Sequence, residues 1–144
     1  MIRYWASLVF FLTAMSLAAI ISGSSIQLLL NIYSFMISGI FPIIFVCILF
    51  GFRETGLAFS VLLKKEHEKG KLLKALNFFK IYGKIIWVTG IIAVIIITVS
   101  ILTNLEDKNR LGPGLHTALI TILYCGIINI GIIIPYTILI KKQL

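Results

Sequence analysis

Four stretches of this chain each run for about a membrane's thickness with no Asp, Glu, Lys or Arg inside them, and no other feature limits its fold so strongly. They cover about residues 5–21, 32–52, 85–102 and 115–140. A helix crossing the hydrocarbon needs about 20 mostly apolar residues, and it pairs its own backbone where lipid offers no partner. A fold surrounded by water does not fit. The chain is 60% hydrophobic and 12% charged, against about a quarter charged in ordinary soluble domains. A chain this short also has too much surface for its volume to hide that apolar area. The sequence therefore predicts an all-α membrane protein: one membrane domain over residues 1–144 with four transmembrane helices. The first stretch has a rival reading as a secretory signal, because Arg3 precedes it and Ser22, Gly23, Ser24 and Ser25 follow it.

The charges fall between these stretches. Arg53, Lys64, Lys65, Lys69, Lys71, Lys74, Lys80 and Lys84 lie between the second and third, Arg3 before the first, and Lys141 and Lys142 after the last. The first link has no Lys or Arg, and in the last link Lys108 and Arg110 are offset by Glu106 and Asp107. Loops rich in Lys and Arg stay on the cytoplasmic side, so both termini and the middle loop are predicted inside. The net charge of +8 thus reads as membrane orientation, with lipid as the partner and no nucleic acid. Tyr4, Trp5, Tyr82 and Trp87 sit at predicted inner ends, where amphipathic rings prefer the headgroup level.

The middle loop, about residues 53–84, repeats apolar residues at helical spacing. Leu57, Val61 and Leu62 form one set, Leu72, Leu73, Leu76 and Phe79 another, with Gly70 between them. This predicts a short cytoplasmic helical hairpin whose arms both continue into membrane helices. Its basic face either sets topology alone or also lies against anionic lipid.

Catalytic chemistry has no foothold. There is no Gly-rich phosphate loop, nucleophile elbow or pair of catalytic carboxylates, and His67 has no second histidine at zinc-helix spacing. Cys47 and Cys125 lie inside apolar runs without a C-x-x-C motif and read as packing residues. No enzyme, cofactor or metal site is expected.

The fourth stretch is the most patterned. Gly112, Pro113 and Gly114 look like a tight turn opening a helix, with Pro113 in the first turn, where a missing N–H does no harm. Thr117, Thr121, Tyr124, Ile128, Gly131 and Pro135 then recur three or four apart on one face, which should meet protein or water, not lipid. Pro135 removes the usual donor to the Gly131 carbonyl, and Asn129 lies off the stripe and needs a partner.

The run "LGPGLHTALITILYCGIINIGIIIP" resembles the last membrane helix of the MotA/TolQ/ExbB proton-channel family, in particular its flagellar stator branch. The resemblance includes the interval from Tyr124 to Pro135, and extends weakly to "GIIAVIIITVSILTNLED" and "SGSSIQLLLNIYS". It implies a bacterial inner-membrane subunit of an ion-driven motor or energiser. Five copies would surround a single-span partner of the MotB or ExbD/TolR kind that supplies an aspartate. It also implies a central surface made of Ala93, Val94, Thr98, Thr121, Tyr124 and Pro135. The chain departs from the family pattern at two hydroxyl positions. Ala93–Val94 stand for a Gly-Thr pair, and Ile122 for the second of two threonines. The large cytoplasmic domain of the flagellar members is reduced to the basic hairpin. The alternative is a non-conducting scaffold or modulator on the same helices.

Overall fold

A computed structural model describes residues 9–10, 13–14, 16–17, 20–21, 29–61 and 68–144. The chain divides into two compact units, Met1–Ile32 and Tyr33–Leu144. In the first, the described residues between 9 and 21 are helical. There the Thr13 hydroxyl donates back to the carbonyls of Val9 and Phe10 at 3.0 and 2.9 Å. Arg3, Tyr4 and Trp5 lie outside the described residues, and so does most of the first predicted span.

The second unit is built from four helices, with no strand among the described residues. Helix α1 is Ile32–Phe50, α2 is Phe52–Ser60 and α3 is Lys69–Leu102. Helix α4 comprises Lys108–Ile128, a widened turn at Asn129–Ile133 and a last segment Ile134–Lys141. Three of these, α1, α3 and α4, are long and apolar enough to cross a membrane. At 1.5 Å per residue α1 is about 28 Å long and α3 about 51 Å, against about 30 Å of hydrocarbon. The protein is therefore a helical integral membrane protein.

Glycines set how closely α3 and α4 approach. A Cβ added at Gly90 would collide with the Cys125 sulfur, and one at Gly83 would come within 2.9 Å of Ile133 Cγ2 and 3.1 Å of Asn129 Oδ1. Farther along, a Cβ on Gly114 would lie 2.8 Å from Ile101 Cγ1. Ascending residues of α3 thus meet descending residues of α4, so the two helices are antiparallel. Small residues at a membrane-helix interface let backbones approach and gain dispersion contact where lipid gives no hydrophobic drive.

At the Lys69 end of this pair, an aromatic cluster fills the core. Phe78 meets Phe50 at 5.4 Å and Phe59 at 5.9 Å, while Phe79 meets Tyr136 at 4.9 Å. Leu72, Ala75, Leu76, Ala58 and Val61 complete it. The two Phe78 pairs are edge to face, and each such pair adds about 0.5–1.5 kcal/mol beyond the area it buries.

Several boundaries differ from the sequence expectation. The first arm of the middle hairpin does not continue α1, because Gly51 adopts φ +85°, where a side chain would be strained, and breaks the helix. The second arm does continue, as the first part of α3. Residues 62–67, with Leu62, Lys64, Lys65 and His67, lie outside the described residues. Leu73 faces outward, while Thr55, Ala58, Ala75 and Phe78 take buried places. Tyr82 is buried against Phe78 at 6.0 Å, so it packs the core and is not a headgroup anchor. Trp87 is exposed.

The Gly-Pro-Gly sequence is not the last turn. The chain reverses at residues 103–106, and α4 starts at Lys108 behind Asp107, whose side chain accepts the Asn109 N–H at 3.1 Å. An aspartate at this position satisfies an otherwise orphan donor and suits the positive end of the helix dipole. Pro113 therefore sits in the second turn, inside the helix.

Candidate functional site

The patterned face of α4 lies against α1. Thr121 is fully buried, and its hydroxyl lies 3.0 Å from Ser34 Oγ of α1 and 2.7 Å from the carbonyl of Thr117. Ser34, also fully buried, donates to that same carbonyl at 3.1 Å. Each hydroxyl has one proton. Both are used if Thr121 donates to Ser34 and Ser34 donates to Thr117. One turn along, Ser38 donates to the Ser34 carbonyl. Three hydroxyl side chains from two helices, with the Thr117 and Ser34 carbonyls, thus form a polar patch in an apolar interior.

Contacts on either side extend this seam. Tyr124 meets Phe35 edge to face at 6.2 Å. A Cβ on Gly39 would lie 3.7 Å from Ile128 Cδ1, an ordinary contact. The stripe from Thr117 through Thr121 and Tyr124 to Ile128 is therefore covered by the α1 of its own chain. Because α1 and α4 keep this order along the seam, they run parallel.

Two prolines shape the seam in the same way. Met36–Ile40 forms a widened turn whose closing bond runs from the Phe41 N–H to the Met36 carbonyl, five residues back, and Pro42 follows. Asn129–Ile133 does the same, from the Ile134 N–H to the Asn129 carbonyl, and Pro135 follows. In each case the turn ends two residues before the proline. A proline ring clashes with the carbonyl four residues back and offers it no donor. Widening the preceding turn moves that carbonyl aside, a common device inside otherwise regular helices. Gly131 is not left without a partner. Asn129, buried, donates from Nδ2 to the Cys125 carbonyl at 3.0 Å and packs its oxygen toward Gly83.

The α3 residues of the predicted surface lie elsewhere. Ala93 is buried, Val94 half-buried and Thr98 exposed, with its hydroxyl donating to the Val94 carbonyl at 2.7 Å. Ser100 is exposed, and its carbonyl accepts from Thr103 and from Asn104 at 3.0 and 2.9 Å. Around Thr98 the helix shows Ile91, Ile92, Ile95, Ile96 and Val99 outward. So Thr121 and Tyr124 share the α1–α4 seam, Pro135 shapes its continuation, and Thr98 opens onto an outer apolar face.

The sequence reading passed over Ser34, Ser38, Pro42, Gly83 and Gly90. Ser34 and Ser38 are four apart in an apolar run, and Gly83 and Gly90 are seven apart, so both pairs carry the spacing of one helix face. Among the described residues no group of three or more His, Cys, Asp or Glu comes together as a metal site. Compared with protein-family models, curated proteins and solved structures, the chain matches none of them.

Proposed function

We propose that this chain is a MotA-like integral membrane subunit of an ion-driven motor or energiser complex. In this reading several copies surround the membrane helices of a single-span partner in a bacterial inner membrane. The observation that carries it is the fourth helix: its Leu-Gly-Pro-Gly run and the Tyr124–Pro135 interval resemble that family, and Pro135 comes with a specific widened turn. The membrane stretches of α1, α3 and α4 contain no Asp, Glu, Lys, Arg or His between Ile32 and Phe50, Ile85 and Leu102, or Thr117 and Ile140. An ion carrier would have to come from elsewhere, as a partner's aspartate does. The outward apolar face of α3 around Thr98 offers area for such packing.

Orientation follows from charge. Arg53, Lys69, Lys71, Lys74, Lys80, Lys84, Lys141 and Lys142 are all exposed, and all belong to the end of the bundle where α1 and α4 finish and α3 begins. Glu106 and Asp107 lie in the opposite link. The basic end is therefore assigned to the cytoplasm.

One observation favours the alternative, a non-conducting scaffold on the same helices. Thr121 is committed to Ser34, and the neighbouring position that would need a second hydroxyl is Ile122, which is exposed at 42%. A hydroxyl replaces part of an ion's water shell, and isoleucine does not.

The deciding experiment co-expresses the chain with a single-span partner that carries an aspartate at the start of its helix, and measures proton and sodium flux in vesicles. Flux that depends on both chains and is abolished by Asp→Asn in the partner supports the motor reading. A stable complex that never conducts supports the scaffold. Flux indifferent to the partner's aspartate defeats the proposal.

A further inference from the structure

One lysine lies deeper in the bundle than the charges around it. Gly83 of α3 packs on Ile133 of α4, and Phe79 meets Tyr136 at 4.9 Å. Lys84 is therefore about level with Ile133. From that level the uncharged run of α4 continues seven residues, to Ile140, before Lys141. Phe78 touches Phe50, the last residue of α1, and Lys84 stands six residues past Phe78 along α3. At 1.5 Å per residue, the uncharged runs of α1 and α4 outreach Lys84 toward the basic end by about 9 and 11 Å. Ile48 and Leu49 of α1 and Ile134 and Ile138 of α4 are exposed along that length, so it belongs in hydrocarbon. The four-carbon stem of a lysine is shorter than either distance, so snorkelling does not carry the ammonium clear of these runs. Lys80 is four residues nearer the basic end and is placed to snorkel.

Lys84 is exposed on the outer stripe of α3. Val88, Ile91, Ile95 and Thr98 follow it at intervals of three and four, all of them exposed. A charge at membrane depth is rare, and it almost always faces protein or a water-filled cavity and pairs there. This chain has no carboxylate to offer at that level. Residues 1–50 contain no Asp or Glu. Glu54 lines a groove with Lys71 and Lys74, ten or more residues from Lys84 along α3. Glu66 and Glu68 precede α3, and Glu106 and Asp107 lie in the opposite link. A second copy crosses the bilayer at the same depth and in the same direction, so its acids stand at the same distant levels.

We propose that the α3 stripe docks a membrane helix of a different protein, one that carries a single carboxylate about two turns in from the basic side of the membrane. That carboxylate accepts from the Lys84 ammonium, and the partner's apolar residues cover Val88, Ile91 and Ile95. The pair leaves neither charge alone in lipid, and its depth fixes the register of the two helices. The inference rests on the partner helix of the proposed function and not on ion flow. A complex that never conducts leaves it standing, so this test and the flux test fail separately.

The test co-expresses the full chain with a designed single-span helix of leucine and alanine that holds one aspartate at that depth. Lysines at the start of the probe fix its orientation. The tagged full chain is purified, exchanged into nanodiscs of phosphatidylcholine, and the retained probe is quantified. Wild type should retain the aspartate probe about three- to fifteen-fold more than its Asp→Asn twin, the range for hydrogen bonds between membrane helices. A probe with its aspartate moved to the opposite third of the span should show no such preference. Lys84→Arg should keep the preference, Lys84→Met should abolish it, and Lys80→Met should leave it unchanged. Equal retention of the two probes by wild type, an undiminished preference in Lys84→Met, or equal losses from Lys84→Met and Lys80→Met would overturn the proposal. So would a preference that disappears when phosphatidylglycerol is added, which would assign Lys84 to headgroup phosphate. Both lysines are exposed, and unchanged helical circular dichroism identifies the folded protein in which each comparison is made.

Discussion

Gly90→Ala tests whether close helix approach, and not lipid pressure alone, holds α3 to α4. The added Cβ would collide with the sulfur of Cys125, which is fully buried and donates weakly to the Ile86 carbonyl at 3.4 Å. The Cys125 Cβ itself would stay at 3.6 Å, an ordinary contact. The conflict is thus with one atom. Overpacking of this kind costs about 1–3 kcal/mol. The new alanine returns up to about 1 kcal/mol, because glycine is the poorer helix former. The single substitution should therefore destabilise by roughly 0–2 kcal/mol, a range too wide to decide by itself. Adding Cys125→Ala removes the offending sulfur. The helix-propensity gain then appears in both backgrounds and cancels, leaving a coupling of about 1–3 kcal/mol in a double-mutant cycle. The assay is reversible unfolding in mixed micelles, followed by circular dichroism. Additive effects, with no rescue of Gly90→Ala by Cys125→Ala, would refute the packing of Gly90 on Cys125.

The same assay reaches the polar seam: Ser34→Ala and Thr121→Val should show coupling of about 0.6 kcal/mol, with about 1.7 kcal/mol as the upper end for bonds between membrane helices. Thr98→Val should change stability by no more than about 0.5 kcal/mol, since that exposed hydroxyl bonds only within its own helix, and a larger loss would place Thr98 in a contact not seen here. Pro135→Ala restores an N–H and lets the widened turn close to the regular four-residue spacing. Amide hydrogen exchange should slow over residues 130–136, and unchanged exchange would show that the turn has another cause. Single cysteines at Lys71 and Asn104, in a background with Cys47→Ala and Cys125→Ala, should react with an impermeant maleimide from opposite faces of the membrane. Reaction from one face would break the topology.

Some features were legible along the chain because they are sums over local composition. The cost of placing a residue in hydrocarbon accumulates almost residue by residue, so α1, α3 and α4 appeared as uncharged runs before any packing was known. The same holds for the basic end, where lysines gather in sequence as they do in space. The stripe on α4 was legible too, since helical spacing alone puts Thr117, Thr121, Tyr124 and Ile128 on one side. What that side meets was not. Ser34 lies 87 residues from Thr121, and no local preference links them. Likewise, glycine spacing suggests a close approach, yet only the register of two helices puts Gly90 on Cys125 and Gly83 on Asn129. Where the chain turns was decided by competing local signals. Asp107 caps α4 and so draws Gly-Pro-Gly inside the helix, while the left-handed Gly51 separates α2 from α1. Hydropathy and charge act along one dimension, and they fixed how many apolar helices the described chain would contain. Contact between faces is a property of three dimensions, and it alone chose Ser34 as the partner of the threonine.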